Sequence, residues 1–437
     1  MPGEVADCYS GVTGTKGVGP CKGGTRTCDA SGMWSACNGE VVPLQEMCSD
    51  SVDNNCNGAV DEDVDADGDG VTTCGGDCCD STECTHPELV NPGAFDAAGN
   101  HVDDDCDGAI DNALLACDSG ILTDTSMAMD YARAIDLCQT TTMTSKKWGV
   151  IDAKLTLADG TGVPAAQGRA VRPRFGATMP HAGAALALLS TGAAAGKNDV
   201  NPAYQDFQHT PMLGGNGTAS GFPADFIAAN GNQLPNAPGC PMPGGDRAND
   251  PVMLTLTIRV PTNARSFTLD TNFFSSEFPE YTCSPFNDFF VVLLDSSYTG
   301  SPANPADKNL AFYAAGAQHY PVGVNLAANN TGLFTQCRNG HISCRQVMNA
   351  PTISTCTSTA ELVGTGFDTA DPGWCDSNSL QGGGTGWLKT SGNVKPGEII
   401  KLRIAIWDTS DHLLDSIAAV DAFTWSVELA QPGTVLL

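Results

Sequence analysis

Hydrophobic and polar positions follow two regimes along this chain. From Trp148 onward, apolar residues alternate with polar ones. The run Trp148–Leu157 alternates in its second half, and Leu254, Leu256, Ile258 and Val260 interleave with Thr255, Thr257 and Arg259 before Pro261 closes the segment. A side-chain period of two sets such residues on one face of a strand. Arg265–Phe274, the almost wholly apolar Phe289–Leu294, Ile399–Trp407 and Ala422–Val427 add strands, with another around Trp387 after a bend at Gly382-Gly383-Gly384. Residues 118–140 carry the helical period instead: Met127, Tyr131, Ala134, Ile135 and Cys138 recur every three or four positions, with Asp124 or Ser126 as the cap. Residues 158–250 are rich in Gly, Ala, Pro and Asn and predict long loops with short elements between them. The pattern predicts a mainly β domain over 119–437: an antiparallel, jelly-roll-like β-sandwich with long loops and one short helix. Loops of that length usually carry function or are pinned in place.

Before residue 119 this periodicity is absent. Residues 1–48 hold Cys8, Cys21, Cys28, Cys37 and Cys48 among Gly, Thr and Lys, with Trp34 and Val41-Val42 as material for a small cluster. They predict a disulfide-stapled segment, because so little apolar surface does not fold without cross-links. Residues 49–118 are acidic and repetitive. Asp53-Asn54-Asn55-Cys56-Asn57-Gly58, Asp65-Ala66-Asp67-Gly68-Asp69-Gly70 and Asp103-Asp104-Asp105-Cys106-Asp107-Gly108 share one pattern. Each sets three oxygen-bearing side chains at alternate positions ahead of a glycine that can take positive φ, which is the first half of a calcium loop. The ligand sets read as Asp53, Asn55 and Asn57 with Asp61 or Glu62; Asp65, Asp67 and Asp69 with Asp77 and Asp80; and Asp103, Asp105 and Asp107 with Asp111. The twelfth position of the middle loop is Gly76, where an EF-hand requires a bidentate Glu, so this is not an EF-hand. Carboxylate, amide and carbonyl oxygens suit Ca²⁺ over zinc or copper. SVDNNCNGAVDE (51–62) and HVDDDCDGAIDN (101–112) match in frame. That repeat predicts Val52, Val102, Val60 and Ile110 packing inward, with Cys56 and Cys106 tied to neighbouring segments.

Charge and cysteine usage narrow the class. Of the formal −29 over 437 residues, residues 1–117 carry 23 acids and 3 bases, and the rest carry 27 and 18. An acidic N-terminal quarter argues against nucleic acid or an anionic membrane as partner. Twelve of the 19 cysteines precede residue 118. The paired CxxC or Cys/His spacings of a zinc module are missing, so the cysteines read as disulfides formed outside the cytoplasm. An odd count leaves at least one thiol free or paired with another chain. Cys337–Cys344 would close a short loop around Asn339-Gly340. The run Ala182–Ala195 is too short and too broken by glycine to cross a bilayer. Met1-Pro2-Gly3 leads straight into the cysteine-rich part, as expected of an exported chain whose targeting segment has been removed.

The run DNNCNGAVDEDVDADGDGVTTCGGDC with VDDDCDGAIDN resembles the MopE-like metal-binding repeats of secreted bacterial proteins, and is similar in layout to thrombospondin type 3 repeats. The family pattern continues Gly-Asp-Cys-Asp-Asp, whereas this chain has Gly76-Asp77-Cys78-Cys79-Asp80, so one expected carboxylate is a cysteine. That departure implies an added disulfide, Cys79–Cys84. A second constellation, Ser276-Glu277-Phe278-Pro279-Glu280-Tyr281, Phe286-Asn287-Asp288, Asp408-Thr409-Ser410-Asp411 and Asp415-Ser416, resembles the bacterial choice-of-anchor L domain. The resemblance implies a surface or secreted β-domain. Glu277, Glu280, Asn287, Asp288, Asp408, Asp411 and Asp415 form a second candidate site, open to three readings: turn caps, a further Ca²⁺ or sugar site, or the acid and base of a glycosidase. No Gly-x-Ser-x-Gly and no HExxH occurs, and no catalytic or organic-cofactor residues are assigned. The expected function is a non-enzymatic, calcium-stabilised extracellular or cell-surface protein, structural or adhesive, which self-associates or contacts surface glycan or matrix. The alternatives are a carbohydrate-binding module with Trp374, Trp387 or Trp407 as stacking surfaces, or a secreted hydrolase.

Overall fold

The structure is a computed structural model. It describes residues 1–437 except 45, 64, 81–83, 113–115, 209–215, 345–353, 371–374 and 376–378. The chain divides into two compact units, Met1–Asn112 and Ala113–Leu437.

The first unit has little regular structure. Strands β1 (Val5–Cys8) and β2 (Gly24–Thr27) pair antiparallel, and the other described residues form turns, isolated bridges and two short 3-10 helices, Thr73–Gly75 and Pro87–Leu89. Its buried apolar residues are few beyond the cysteines: Val71, Val90 and Ala94. Disulfides take the place of a core. Cys8–Cys37, Cys21–Cys56, Cys48–Cys74, Cys78–Cys106 and Cys79–Cys84 link successive segments, so residues 1–48 are bonded into the acidic repeats. Closing loops of 26 to 35 residues removes unfolded-state entropy equivalent to roughly 3–4 kcal/mol per bridge. The Cys56, Cys106 and Cys79–Cys84 expectations hold. The inward packing does not: Val52, Val60 and Ile110 are exposed, the last two by 54 and 60%. Each loop turns its backbone amides toward its own carboxylates, which leaves these side chains facing solvent. Cys28 is the unpaired cysteine, and it is buried.

The second unit is a β-sandwich. Its strands are β3 (Gly149–Thr156), β4 (Arg169–Arg172), β5 (Leu186–Ser190), β6 (Ala219–Ser220), β7 (Ala248–Arg259), β8 (Ser266–Ser275), β9 (Phe289–Asp295), β10 (Phe312–Ala315), β11 (Gln318–Pro321), β12 (Gly383–Asn393), β13 (Ile399–Asp408), β14 (Ser416–Ser426) and β15 (Gly433–Leu436). One sheet has the order β15-β12-β8-β14-β5-β4 and the other β3-β7-β13-β9, with β6 on β7; every pairing is antiparallel. The predicted alternation sets the register: Leu254, Leu256 and Ile258 of β7 lie opposite Ile404, Leu402 and Ile400 of β13, all buried. Gly392 of β12 lets the sheets approach, since a Cβ there would stand 3.2 Å from Leu294 of β9.

Both outer faces are covered as well. Phe175, Phe207, Leu362 and Phe367 from long loops pack on Phe274, Ile417 and Leu188. The other sheet's outer face, with Met253, Val291, Ala405 and Trp407, lies under Phe226. Phe226 belongs to a helix the periodicity missed, α2 (Ala224–Ala229), a six-residue turn too short to show a period. The expected helix over 118–140 is also a single short one, α1 (Ala128–Arg133), whose start carries no side-chain cap from Asp124 or Ser126. Instead, the Thr125 hydroxyl accepts from the Met127 N–H at 3.1 Å. Cys138 lies beyond this helix and bonds Cys117. Cys337 and Cys344 do not pair with each other. They bond Cys356 and Cys375, because the Cys337 segment bridges to Ser358 and Gly384 rather than closing on itself. Cys240–Cys283 completes the pinning of the long loops.

Candidate metal centres

The three acidic loops are built alike. The first carboxylate of each receives two backbone N–H groups: Asp53 from Asn57 and Gly58 (both 3.0 Å), Asp65 from Gly68 (2.7 Å) and Gly70 (2.9 Å), Asp103 from Asp107 (3.1 Å) and Gly108 (2.9 Å). Position 3 accepts from the N–H of position 5, through Asn55, Asp67 and Asp105. Position 5 accepts from position 7, through Asn57, Asp69 and Asp107. The glycine at position 6 has φ of 98°, 89° and 93° in the three loops, a conformation that side chains other than Asn and Asp resist. These turns engage both oxygens of the first carboxylate and pin the side chains at positions 3 and 5 by one oxygen each.

Asp65, Asp67 and Asp69 bring ligand oxygens within 4.8 Å of one another, as do Asp103, Asp105 and Asp107. The middle loop gains the expected pair from downstream: Asp67, Asp77 and Asp80 form a further group of the same tightness, with Asp77 and Asp80 buried. Burial and the charges of Asp69, Asp67 and Asp80 push the Asp77 carboxyl up to about 7. In the first loop Glu62 draws in the amides of Asn55 (2.6 Å) and Asn57, and its Oε2 is buried without a hydrogen bond. Asn112, at the same place in the other repeat, donates to Asp107 at 2.7 Å while its buried Oδ1 has no partner. Asp67 Oδ2 is likewise buried and unsatisfied.

Asp61 and Asp111 are placed differently. Asp61 accepts from the N–H groups of Asp50 (3.0 Å) and Ser51 (3.1 Å), and Asp111 from Gly99 (2.7 Å), Asn100 (3.1 Å) and His101 (3.2 Å). Both close the turn that leads into their repeat. Two acids outside the predicted sets join the loops instead. Glu46 accepts from Asn55 N–H at 3.0 Å and Asp61 N–H at 3.3 Å, and Asp96 from Asp104 N–H at 3.2 Å and Asn112 N–H. The 51–62/101–112 repeat, extended five residues upstream, would have found both.

In the sandwich, Glu277, Asp288 and Asp408 form a trio with ligand oxygens within 4.8 Å of one another. Glu277 follows β8, Asp288 precedes β9 and Asp408 ends β13, so the trio joins both sheets at one end. Their exposures are 1, 0 and 1%. Burial, with Asp288 beside Glu277 and both beside Asp408, holds Glu277 and Asp408 well above the usual carboxylate range. Burial, with Asp415 and Asp411 nearby, does the same to Asp288. Asn287 and Thr409 exchange two hydrogen bonds, Asn287 N–H to Oγ1 (3.1 Å) and Oγ1–H to Asn287 O (3.0 Å), which fix Asp288 and Asp408 side by side. Asn287 turns its own Oδ1 to the Asn325 N–H at 2.9 Å, and Asp411 accepts from the Leu413 N–H at 2.9 Å. Glu280 and Asp415 are buried close by in the chain but are not members of the trio. Trp387 and Trp407 are buried, and Trp374 lies outside the described residues.

Residues 244–422 match the family model of the choice-of-anchor L domain, and residues 44–62 and 86–112 match the MopE-type metal-binding motif. The two occur in the order that the sequence resemblance implied. No curated protein and no solved structure matches the chain. Among the described residues no helix is long and apolar enough to cross a membrane.

Proposed function

We propose that this chain, which joins a MopE-type metal-binding motif to a choice-of-anchor L domain, is a Ca²⁺-stabilised extracellular or cell-surface protein with a structural or adhesive role and no enzymatic activity. The observation that carries it is the construction of the acidic loops. Glu62, Asp67 and Asn112 each hold a buried oxygen with no hydrogen-bond partner, and in the middle and last loops the carboxylates are already converged by their backbone turns. An unsatisfied buried oxygen costs about 1–3 kcal/mol, and a hard cation satisfies it. The donors are all oxygen, and no free thiol or imidazole belongs to these groups, which favours Ca²⁺ over softer metals. Asp53, Asn55, Asn57, Glu62 and Glu46 would serve the first ion. Asp65, Asp67, Asp69, Asp77 and Asp80 would serve the middle one, and Asp103, Asp105, Asp107, Asp96 and Asn112 the last. Five disulfides in the same unit fit an oxidising compartment.

The competing readings have less support. Trp387 is covered by His181, with ring centroids 4.2 Å apart, and Trp407 is fully buried, so neither offers a stacking face to a glycan. Glu277, Asp288 and Asp408 are too buried to meet a polymeric substrate.

Elemental analysis of the purified chain, with melting and limited proteolysis in excess Ca²⁺ and in EGTA, tests the proposal. Metal binding here is folding free energy, so EGTA should open residues 1–112 to protease. Identical melting and cleavage in the two conditions would rule it out.

A further inference from the structure

Separately from the acidic loops, we infer that Glu277, Asp288 and Asp408 form a buried divalent-cation site, of Ca²⁺ type, that clamps the ends of the two sheets. The inference rests on which atoms lack a partner. Asp288 is fully buried, and neither of its carboxylate oxygens makes a hydrogen bond; Asp408 Oδ1 is in the same state. The Ser416 hydroxyl lies beside Asp288 without completing a well-formed hydrogen bond to it. Glu277 is engaged through Oε2, which accepts from the Asp288 N–H at 3.2 Å.

Three carboxylates this close do not all ionise in a dry site unless a positive charge joins them. Among the described residues, no lysine, arginine or histidine acts on Glu277, Asp288 or Asp408. Arg403 on β13 and His412, four residues after Asp408, are committed elsewhere: Arg403 to Asp225 and Asp295, and His412 to Asp250 at 2.7 Å. Protonation would let Asp408 share a proton with Asp288, but it would leave the other buried oxygens of the trio bare. A cation resolves both problems together. It satisfies the bare oxygens of Asp288 and Asp408, and its charge offsets theirs, with Asp411 and Asp415 adding negative potential from the flank. Oxygen-only donors and the absence of Cys and His from the group select a hard ion. The geometry is also held in advance. The Asn287–Thr409 bonds fix two ligands, and Tyr281 N–H bonds the Glu277 carbonyl at 2.8 Å to fix the third.

The test is Ca²⁺ stoichiometry by equilibrium dialysis and elemental analysis on the full chain. A triple variant of the loops, Asp53→Asn with Asp65→Asn and Asp103→Asn, leaves the sandwich intact and should retain one Ca²⁺ per chain. Adding Asp288→Asn should remove that ion, and should abolish the Ca²⁺-dependent rise in melting temperature read through buried Trp407. If the loop variant binds no Ca²⁺, the inference is overturned while the loop proposal stands. If Asp288→Asn binds as much as its parent, the inference is also overturned. Should Asp288→Asn fail to fold, Glu277→Gln and the loop variant give the same reading. Loops that bind nothing, with one ion still lost on Asp288→Asn, would sink the loop proposal alone.

Discussion

Asp225 shows how much a single side chain of this protein can hold. Its carboxylate takes two hydrogen bonds from Arg403, at 2.9 and 2.6 Å, and one from Lys308 at 2.7 Å. These bonds, opposed by partial burial, hold it far below the usual carboxylate range. Its folded pKa is depressed, so its stabilisation is present above the unfolded value near 3.8 and is lost as pH falls below that. Asp225→Ala should destabilise the sandwich by about 1–3 kcal/mol at neutral pH, because it leaves the mostly buried Arg403 with Asp295 alone. Urea unfolding at pH 7 and pH 3 checks this, and the deficit should shrink at the lower pH. A second cluster works the other way. Asp118 and Asp136 sit against Gly183, Asp421 accepts from the His181 and Ala182 N–H groups, and burial raises Asp136 and Asp421 to about 7 and about 6; Asp421 and Asp118 also act on Asp136. The neighbouring groups are His181, whose N–H bonds Asp421 and whose ring meets Asp270, and Lys389, also at Asp270. The folded chain holds protons here that the unfolded chain releases above pH 4. Stability should therefore fall by roughly 2–3 kcal/mol as pH rises from 4 to 7. Asp136→Asn should flatten that part of the melting profile relative to the parent, both in constant Ca²⁺.

At the scale of elements, α2 is the clearest case of packing that overrides local signal. Phe226 is fully buried and meets Trp407 edge-on with centroids 6.3 Å apart. Phe226→Ala should cost about 3–5 kcal/mol, the usual range for deleting a buried aromatic. Far-UV dichroism should stay strand-like while the urea midpoint drops; an unchanged midpoint would mean α2 does not hold this face. The long strands were legible because alternation and burial coincide in β7 and β13. β5 was not, because its five residues are buried on both faces and read as a featureless apolar run. The same distinction applies to the candidate sites. Positions 1, 3 and 5 of each acidic loop were legible because the turn is local. Glu46 and Asp96 come from upstream and were invisible to a motif that starts at the loop. Asp288 and Asp408 were visible as acids, but only the β9–β13 register, which pairs Phe289 with Trp407, brings them together.

At the scale of the whole molecule the charge is concentrated, with 23 acids against 3 bases in residues 1–117. Without cations such a segment repels itself, and its five disulfides limit expansion without removing the repulsion. Two kinds of relief are distinguishable. Simple screening acts on any exposed charge and depends only on ionic strength, with a Debye length of about 8 Å near 0.15 M. Coordination acts only on oxygens already converged, such as those of Asp65, Asp67 and Asp69, and depends on the ion's size and ligand number. Ca²⁺ at millimolar levels should therefore protect residues 1–112 from protease far more than NaCl at the same ionic strength. Mg²⁺, which gives up its water reluctantly, should fall between them. Asp67→Asn should weaken the Ca²⁺ protection while leaving the NaCl response unchanged, since it removes one converged oxygen and little net charge. If NaCl protects as well as Ca²⁺ does, the acidic unit is only a screened polyanion, and its loops hold no ion.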